Sequence, residues 1–244
     1  MKTEIQLKSD IDVRLIQKVG GDEMVIAAAR VSTSGEEAIK FTDPACAEEN
    51  AGVINYLMKH RHGTPFEHSY LTFFVQAPIF VWREWHRHRI GFSYNEESGR
   101  YTQLKPIFYA PPRERPMMKV DGWKPGKPKF LPCEDDGLYD GLIRRLEQSY
   151  DMAYHMYELN LADGFDPGLA RDCLPVGIFS SCWVSCNPRS LMAFLSLRTH
   201  DPEAKFVSYP LYEIEVAAQA CEKIFAAGWP ITYNAFVKNG RVGP

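Results

Sequence analysis

The sequence predicts a mixed α/β fold (α+β) in which helices dominate. Three observations carry this. Several stretches repeat apolar residues at helical spacing, and two runs are β-branched and aromatic. No G-x-G-x-x-G follows a strand, so a Rossmann unit is not expected, and no G-x-x-x-x-G-K-[ST] marks a P-loop.

Residues 22–33 read as a helix ending in a small-residue turn. Asp43-Pro44 reads as an N-cap followed by Pro at the first helical position, with Ala47, Ala51, Ile54 and Met58 as the apolar stripe behind it. Tyr70–Gln76 reads as a strand, and Pro78 as the start of a helix running to Arg87 or Arg89. Residues 105–136 carry seven of the 17 prolines with little periodicity, which predicts a long excursion, or a linker between two domains. Tyr139, Leu142, Leu146, Tyr150, Ala153 and Tyr157 then mark a long helix stopping near Gly164. Val176–Cys186 reads as a strand. Asn187-Pro188 repeats the cap-plus-Pro start, with Leu191, Phe194 and Leu195 as the buried stripe. A last helix is expected from about Ser208, with Leu211, Ile214, Ala218, Cys221 and Phe225 in register.

The length, 244 residues, allows one large domain or two small ones and a sizeable core. With 28 Lys+Arg against 31 Asp+Glu, a nucleic-acid polymer is not expected as the main partner, whereas small anions are compatible. No apolar run is long enough for a membrane span, and the first fifteen residues lack an apolar signal core. Six scattered cysteines without a C-x-x-C pair read as reduced thiols in a cytoplasmic protein. His60, His62, His68, His86 and His88 follow no zinc spacing, so no metal is expected.

Chemistry concentrates in residues 82–101, WREWHRHRIGFSYNEESGRY. Glu84 and His88 stand at i and i+4 of the expected helix with Arg87 beside them, so the three can face one ligand. Ser98, Gly99 and Arg100 add a hydroxyl, an approachable backbone and a guanidinium, the parts of a phosphate pocket. The plainer alternative is a surface salt-bridge patch. In residues 187–198, Arg198 continues the buried stripe, and an inward guanidinium demands an anionic or carbonyl partner. That partner is either a ligand or an internal carboxylate such as Glu213 or Glu215. The Asn187-Pro188-Arg189 helix start offers N–H groups and a guanidinium to a phosphate. Arg171 stands in a short segment opened by Asp166-Pro167, with a local ion pair to Asp172 as its plain reading. Cys173 is the cysteine nearest these clusters and a minor candidate for a nucleophile.

At these residues the chain resembles the flavin-dependent thymidylate synthases. Arg87-His88-Arg89 is followed by Ser93-Tyr94-Asn95-Glu96-Glu97-Ser98-Gly99-Arg100-Tyr101, matching the family's R-H-R and S-x-R-Y phrase. HGTPFEH (62–68), APIFVWREW (77–85), Arg171 with Leu174-Pro175, NPRSLMAFLSLR (187–198) and YEIE (212–215) follow the family's order. The resemblance covers about residues 25–237, least closely at 105–136.

The resemblance implies a single domain over residues 1–244, with a central antiparallel sheet and long helices in a family fold that is not Rossmann. It implies synthesis of dTMP from dUMP, with 5,10-methylenetetrahydrofolate as one-carbon donor, reduced FAD as hydride source and NADPH as reductant. It implies a homotetramer whose active sites are shared between subunits. By position, Ser32, Thr64, Arg87, His88, Arg89, Glu96, Asn187, Pro188, Arg189 and Ala193 fall in the flavin set. Glu84, Trp85, His86, Arg87, Glu96, Glu97, Ser98, Gly99, Arg100, Arg171 and Arg198 fall in the dUMP set. Arg198 takes the catalytic role at the uracil edge, and Ser98 a binding role. The alternative is a binding protein of the same fold that lost catalysis. Three departures stand out: the Arg89–Ser98 spacer is one residue longer than the commoner one, Glu84 replaces a frequent Gln, and Ala193 replaces a frequent Asn. Residues 199–212 also form a longer link than usual, which leaves the family's later flavin-contacting His without an assigned position at His200.

Overall fold

The chain begins with two strands, β1 (Gln6–Lys8) and β2 (Asp12–Val19), followed by helix α1 (Asp22–Ser34). This is a computed structural model, and it describes residues 3–122, 124 and 129–244. A 3-10 segment leads to α2 (Cys46–Glu49) and α3 (Ala51–Lys59). Asp43-Pro44 caps no helix directly: the Asp43 carboxylate accepts from Ala45 N at 2.9 Å, and α2 starts two residues beyond Pro44. The chain then forms β3 (Tyr70–Pro78), α4 (Ile79–Trp85), β4 (Phe92–Glu96) and β5 (Ile107–Tyr109). Pro78 therefore closes a strand instead of opening a helix, and α4 stops short of the expected Arg87. Within the 105–136 excursion, β6 (Met118–Lys119) and β7 (Phe130–Leu131) pair antiparallel. Helices α5 (Asp136–Ala162) and α6 (Pro167–Ala170) precede β8 (Phe179–Cys186) and α7 (Pro188–Arg198). The last helices are α8 (Tyr212–Gly228), starting later than the expected Ser208, and α9 (Pro230–Lys238).

The larger sheet runs β2-β3-β8-β4, while β1 pairs parallel with β5. Thr72 meets Ser185 at 2.9 Å, and Ile79 N donates to the Ile178 carbonyl at 2.9 Å. Numbers rise along one strand as they fall along the other, which is antiparallel register.

Two compact units can be distinguished, each assembled from separated stretches of chain. The first takes residues up to Asp12, Gln76–Trp85 and the described part of Glu96–Cys182. Its core is aromatic: Tyr150, Tyr154 and Tyr157 lie on one face of α5 and pack with Phe108, Leu104 and Ile178. Tyr150 stacks on Phe108 at 4.7 Å. The phenols also find partners, as buried hydroxyls must: Tyr154 donates to the Leu104 carbonyl at 2.8 Å, and Tyr157 accepts from Leu104 N at 3.1 Å. The face of α5 thus fixes the loop that follows the Ser98–Arg100 turn.

The second unit takes Val13–Val75, His86–Asn95 and Trp183–Pro244. Val25, Ile54, Met58, Phe194, Leu195 and Phe225 are all fully buried in it, filling the apolar stripes of α1, α3, α7 and α8. Asp22, buried at the start of α1, accepts from Ile231 N, Thr232 N and the Thr232 hydroxyl at 2.6–2.9 Å. It therefore satisfies the orphan donors of α9 from a distant part of the chain.

Candidate functional site

The first unit carries the Glu84–Trp85 end of α4 and the Glu96–Arg100 stretch. Glu96 accepts from the buried Ser180 hydroxyl at 2.7 Å, and Glu97 N donates to the Ser181 carbonyl at 2.8 Å. The chain then turns: Tyr101 N donates to the Ser98 carbonyl, and the Ser98 hydroxyl accepts from Arg100 N at 3.3 Å. Gly99 is buried, and a Cβ there would lie 3.1 Å from Leu104 and 3.2 Å from Cδ of Arg171. Glycine is what lets the Arg171 stem lie against this turn. The structure therefore brings Ser98, Gly99, Arg100 and Arg171 together, with the Arg100 side chain exposed. Trp85 is buried and stacks on Trp82 at 5.4 Å, so its ring belongs to the scaffold. Glu84 is half-buried at the last turn of α4.

The second unit carries the Arg-His-Arg triplet in a turn instead of on a helix. Because α4 ends at Trp85, Glu84 and His88 do not share a helical face, contrary to the i, i+4 expectation. His88 instead faces α7: its Nε2 accepts from Nε of Arg198 at 3.0 Å, and its ring meets Phe194 edge-on at 5.0 Å. Burial first, and the Arg198 charge second, push the His88 pKa down from 6.5 to about 4. A neutral imidazole is what an acceptor to a guanidinium requires. Tyr94 holds the same turn by donating to the His88 carbonyl at 2.6 Å, and its ring meets His86 at 4.8 Å. Arg87, Arg89 and Ile90 are exposed. Gly91 has φ +69°, and a Cβ there would collide with the Ser190 hydroxyl. The residues around the extra spacer position thus form a left-handed turn seated on the start of α7.

Asn187 caps α7 as its sequence predicts, its side chain accepting from Ser190 N at 2.9 Å, with Pro188 at the first helical position. Arg198 is half-buried at the last turn of this helix, and Ala193 is exposed on it. Arg189 is held twice, by Glu67 at 2.5 Å and by the Pro244 backbone oxygen at 2.8 Å. A Cβ on Gly63 would collide with the Arg189 guanidinium, so the Gly63–Thr64 turn is its seat. Thr64 is exposed beside it. The Ser32 hydroxyl donates to the Ala29 carbonyl within α1 at 2.9 Å. His200 has its ring 2.8 Å from the Ser208 carbonyl, inside the long 199–212 link.

Cys173 donates its thiol proton to the Ala170 carbonyl at 3.3 Å, and burial raises its pKa, which opposes a thiolate nucleophile. Among the described residues no group of three or more His, Cys, Asp or Glu could hold a metal ion, and no helix is long and apolar enough to cross a membrane.

Residues 14–231 match the family described as "Thymidylate synthase complementing protein". The chain is 48% identical to the flavin-dependent thymidylate synthase of Streptomyces coelicolor, over 99% of this chain and 96% of that one. It is 43% identical to the enzyme of that name from Tropheryma whipplei, over 97% and 96% of the two chains.

The chain belongs to the flavin-dependent thymidylate synthases.

It is thereby an enzyme of the methyltransferase class with a flavin cofactor. Two solved structures of PolB from Streptomyces cacaoi, a UMP/dUMP methylase, share the fold. The one bound to 5-bromo-dUMP superposes with a TM-score of 0.90 at 42% identity, covering 98% of this chain and all of that one. The one bound to 5-bromo-UMP gives 0.87 at 40% identity, covering 99% and 100%. For a flavin-dependent thymidylate synthase, three features of this site were not legible in sequence: the Glu67 and Pro244 contacts of Arg189, the Arg198–His88 bond, and the seating of Gly91 on Ser190. Each joins residues 55 to 122 positions apart, beyond any local pattern. The glycines at 63 and 91 were the available signal, since both mark close approach.

Proposed function

We propose that the protein makes dTMP from dUMP by reductive methylation, with 5,10-methylenetetrahydrofolate as one-carbon donor and NADPH as the reductant of FAD. The observation that carries this reading is the Arg198–His88 bond: a permanently charged guanidinium oriented by a neutral imidazole on the last turn of a capped helix. Arg198 binds the uracil edge and stabilises the N3-deprotonated ring, which raises electron density at C5. C5 then attacks the methylene carbon of the folate, and the C5 hydrogen leaves as a proton. Arg171 and Arg100, with the Ser98 turn, bind dUMP, as do Glu84, His86, Arg87, Glu96 and Glu97. The buried Trp85 ring supports Glu84 and His86 from the core instead of contacting the nucleotide. Arg189, Arg87, His88, Arg89, Thr64, Glu96, Asn187, Pro188, Ala193 and Ser32 hold the flavin.

The residues fit that cofactor chemically. The second unit presents exposed Arg87 and Arg89 and the exposed Thr64, hydrogen-bond donors suited to the anionic bridge of a dinucleotide. Reduced FAD supplies the hydride that turns the transferred carbon into a methyl group, so the folate departs as tetrahydrofolate. The reading includes assembly as a homotetramer with shared active sites, in which exposed apolar side chains such as Ile39, Ile90, Leu197 and Phe206 would be candidates for burial between subunits. The near-neutral charge and the reduced thiols suit a cytoplasmic enzyme of small molecules.

The test is tritium release from [5-³H]dUMP with FAD, NADPH and the folate, run beside [5-³H]UMP because the structural neighbour is a UMP/dUMP methylase. Release from dUMP is expected. No release from either nucleotide would leave the chain a flavin or nucleotide binder, and release from UMP alone would move the substrate.

A further inference from the structure

After α9 the chain reverses through two consecutive left-handed residues, Gly240 at φ +76° and Arg241 at φ +56°. Arg241 has a Cβ, so this conformation is costly and persists only where the surroundings impose it. They do so fully. Its guanidinium is buried, bonded to Glu222 at 2.7 Å and to the Thr199 hydroxyl at 2.7 Å, with Asp201 at 3.7 Å. It also lies over the Phe236 ring at 5.3 Å, while the Arg241 backbone N–H donates to the Phe236 carbonyl at 2.9 Å.

Beyond this anchor the next three residues run along α7 and the loop before Gly63. Arg61 donates to the Val242 carbonyl at 3.2 Å. A Cβ on Gly243 would lie 3.2 Å from Cβ of Met192 and 3.4 Å from Ala193 N, so the backbone passes close to α7. The Pro244 backbone oxygen then accepts from Nε of Arg189, whose Nη1 is held by Glu67. Two acceptors on different edges fix the plane of the fork.

We propose that Gly240–Pro244 is a strap that positions Arg189 for the phosphates of FAD, with Arg241 as its anchor. This rests on the flavin reading of Arg189 above. A guanidinium already oriented loses less freedom when an anion binds, so the strap raises FAD affinity without touching the cofactor.

FAD affinity is measured by flavin fluorescence on the full chain freed of cofactor, with thermal melts alongside. Gly243→Val pushes the strap off α7 and leaves the Arg241 anchor intact. It is expected to weaken FAD binding about tenfold, the loss of one hydrogen bond to a charged group, with little change in melting temperature. Arg189→Lys is expected to weaken binding similarly, and the double variant no further, because both act through one guanidinium. Arg241→Met is expected to weaken binding and also to lower the melting temperature. Unchanged or tighter FAD binding in Gly243→Val, or losses that add in the double variant, would overturn the strap. A wild-type chain that binds no FAD would overturn the flavin reading itself and the strap with it.

Discussion

The Arg-bearing turns of residues 86–101 and helix α7 both supply guanidiniums to the proposed chemistry, but they hold them differently. On α7, Arg198 and Arg189 sit on a helix with a side-chain cap at one end, and each has protein partners that set its orientation. Arg87, Arg89 and Arg100 stand on turns with exposed side chains. The backbone of those turns is fixed, by Tyr94 at His88 and by Ser98 at Tyr101, but the guanidiniums are not buried. Arg198, oriented in advance beside a neutral imidazole, suits the stabilisation of charge that develops during reaction, whereas exposed arginines suit capture of anions that arrive fully charged. Arg189 joins orientation to phosphate binding.

That contrast ranks the expected effects. Arg198→Lys keeps the charge and loses the planar fork, and should lower turnover about 10²- to 10³-fold, read as dTMP formed at saturating dUMP. Arg87→Ala should weaken FAD binding about tenfold by flavin titration, while dTMP formation by the loaded enzyme at saturating dUMP stays within a small factor of wild type. Asn187→Ala removes the cap of α7 and should cost about 1 kcal/mol in denaturant unfolding. A separate effect is on pH dependence. Folding favours neutral His88, so its contribution is complete above pH 6.5 and fades as pH falls from 6.5 towards about 4. Thermal melts should show wild type losing more stability over that window than His88→Gln; parallel losses would contradict the assignment.

Much of this was legible in the sequence wherever the signal was local. The Asn187-Pro188 start of α7, the Asp166 cap of α6 and the tyrosine face of α5 all follow from spacing and capping chemistry. Pro78 misled because Pro is as compatible with a strand end as with a helix start. The helical spacing of Glu84 and His88 failed because α4 stops at Trp85, before the turn that Gly91 permits. β2 escaped notice since six of its eight residues are exposed and its four apolar residues do not alternate regularly with the polar ones. For the site, residue types and order singled out stretches that fold into two Arg-bearing turns and a capped helix, while the pairings that orient Arg189 and Arg198 depend on tertiary contact.

The most direct measurement compares tritium release from [5-³H]dUMP by Arg198→Lys and Arg100→Lys at low and at saturating nucleotide. Loss at saturation is predicted for Arg198→Lys, and loss confined to low dUMP for Arg100→Lys. Wild-type release by Arg198→Lys at saturation, or a turnover defect in Arg100→Lys instead, would contradict the division between helix-held and turn-held arginines.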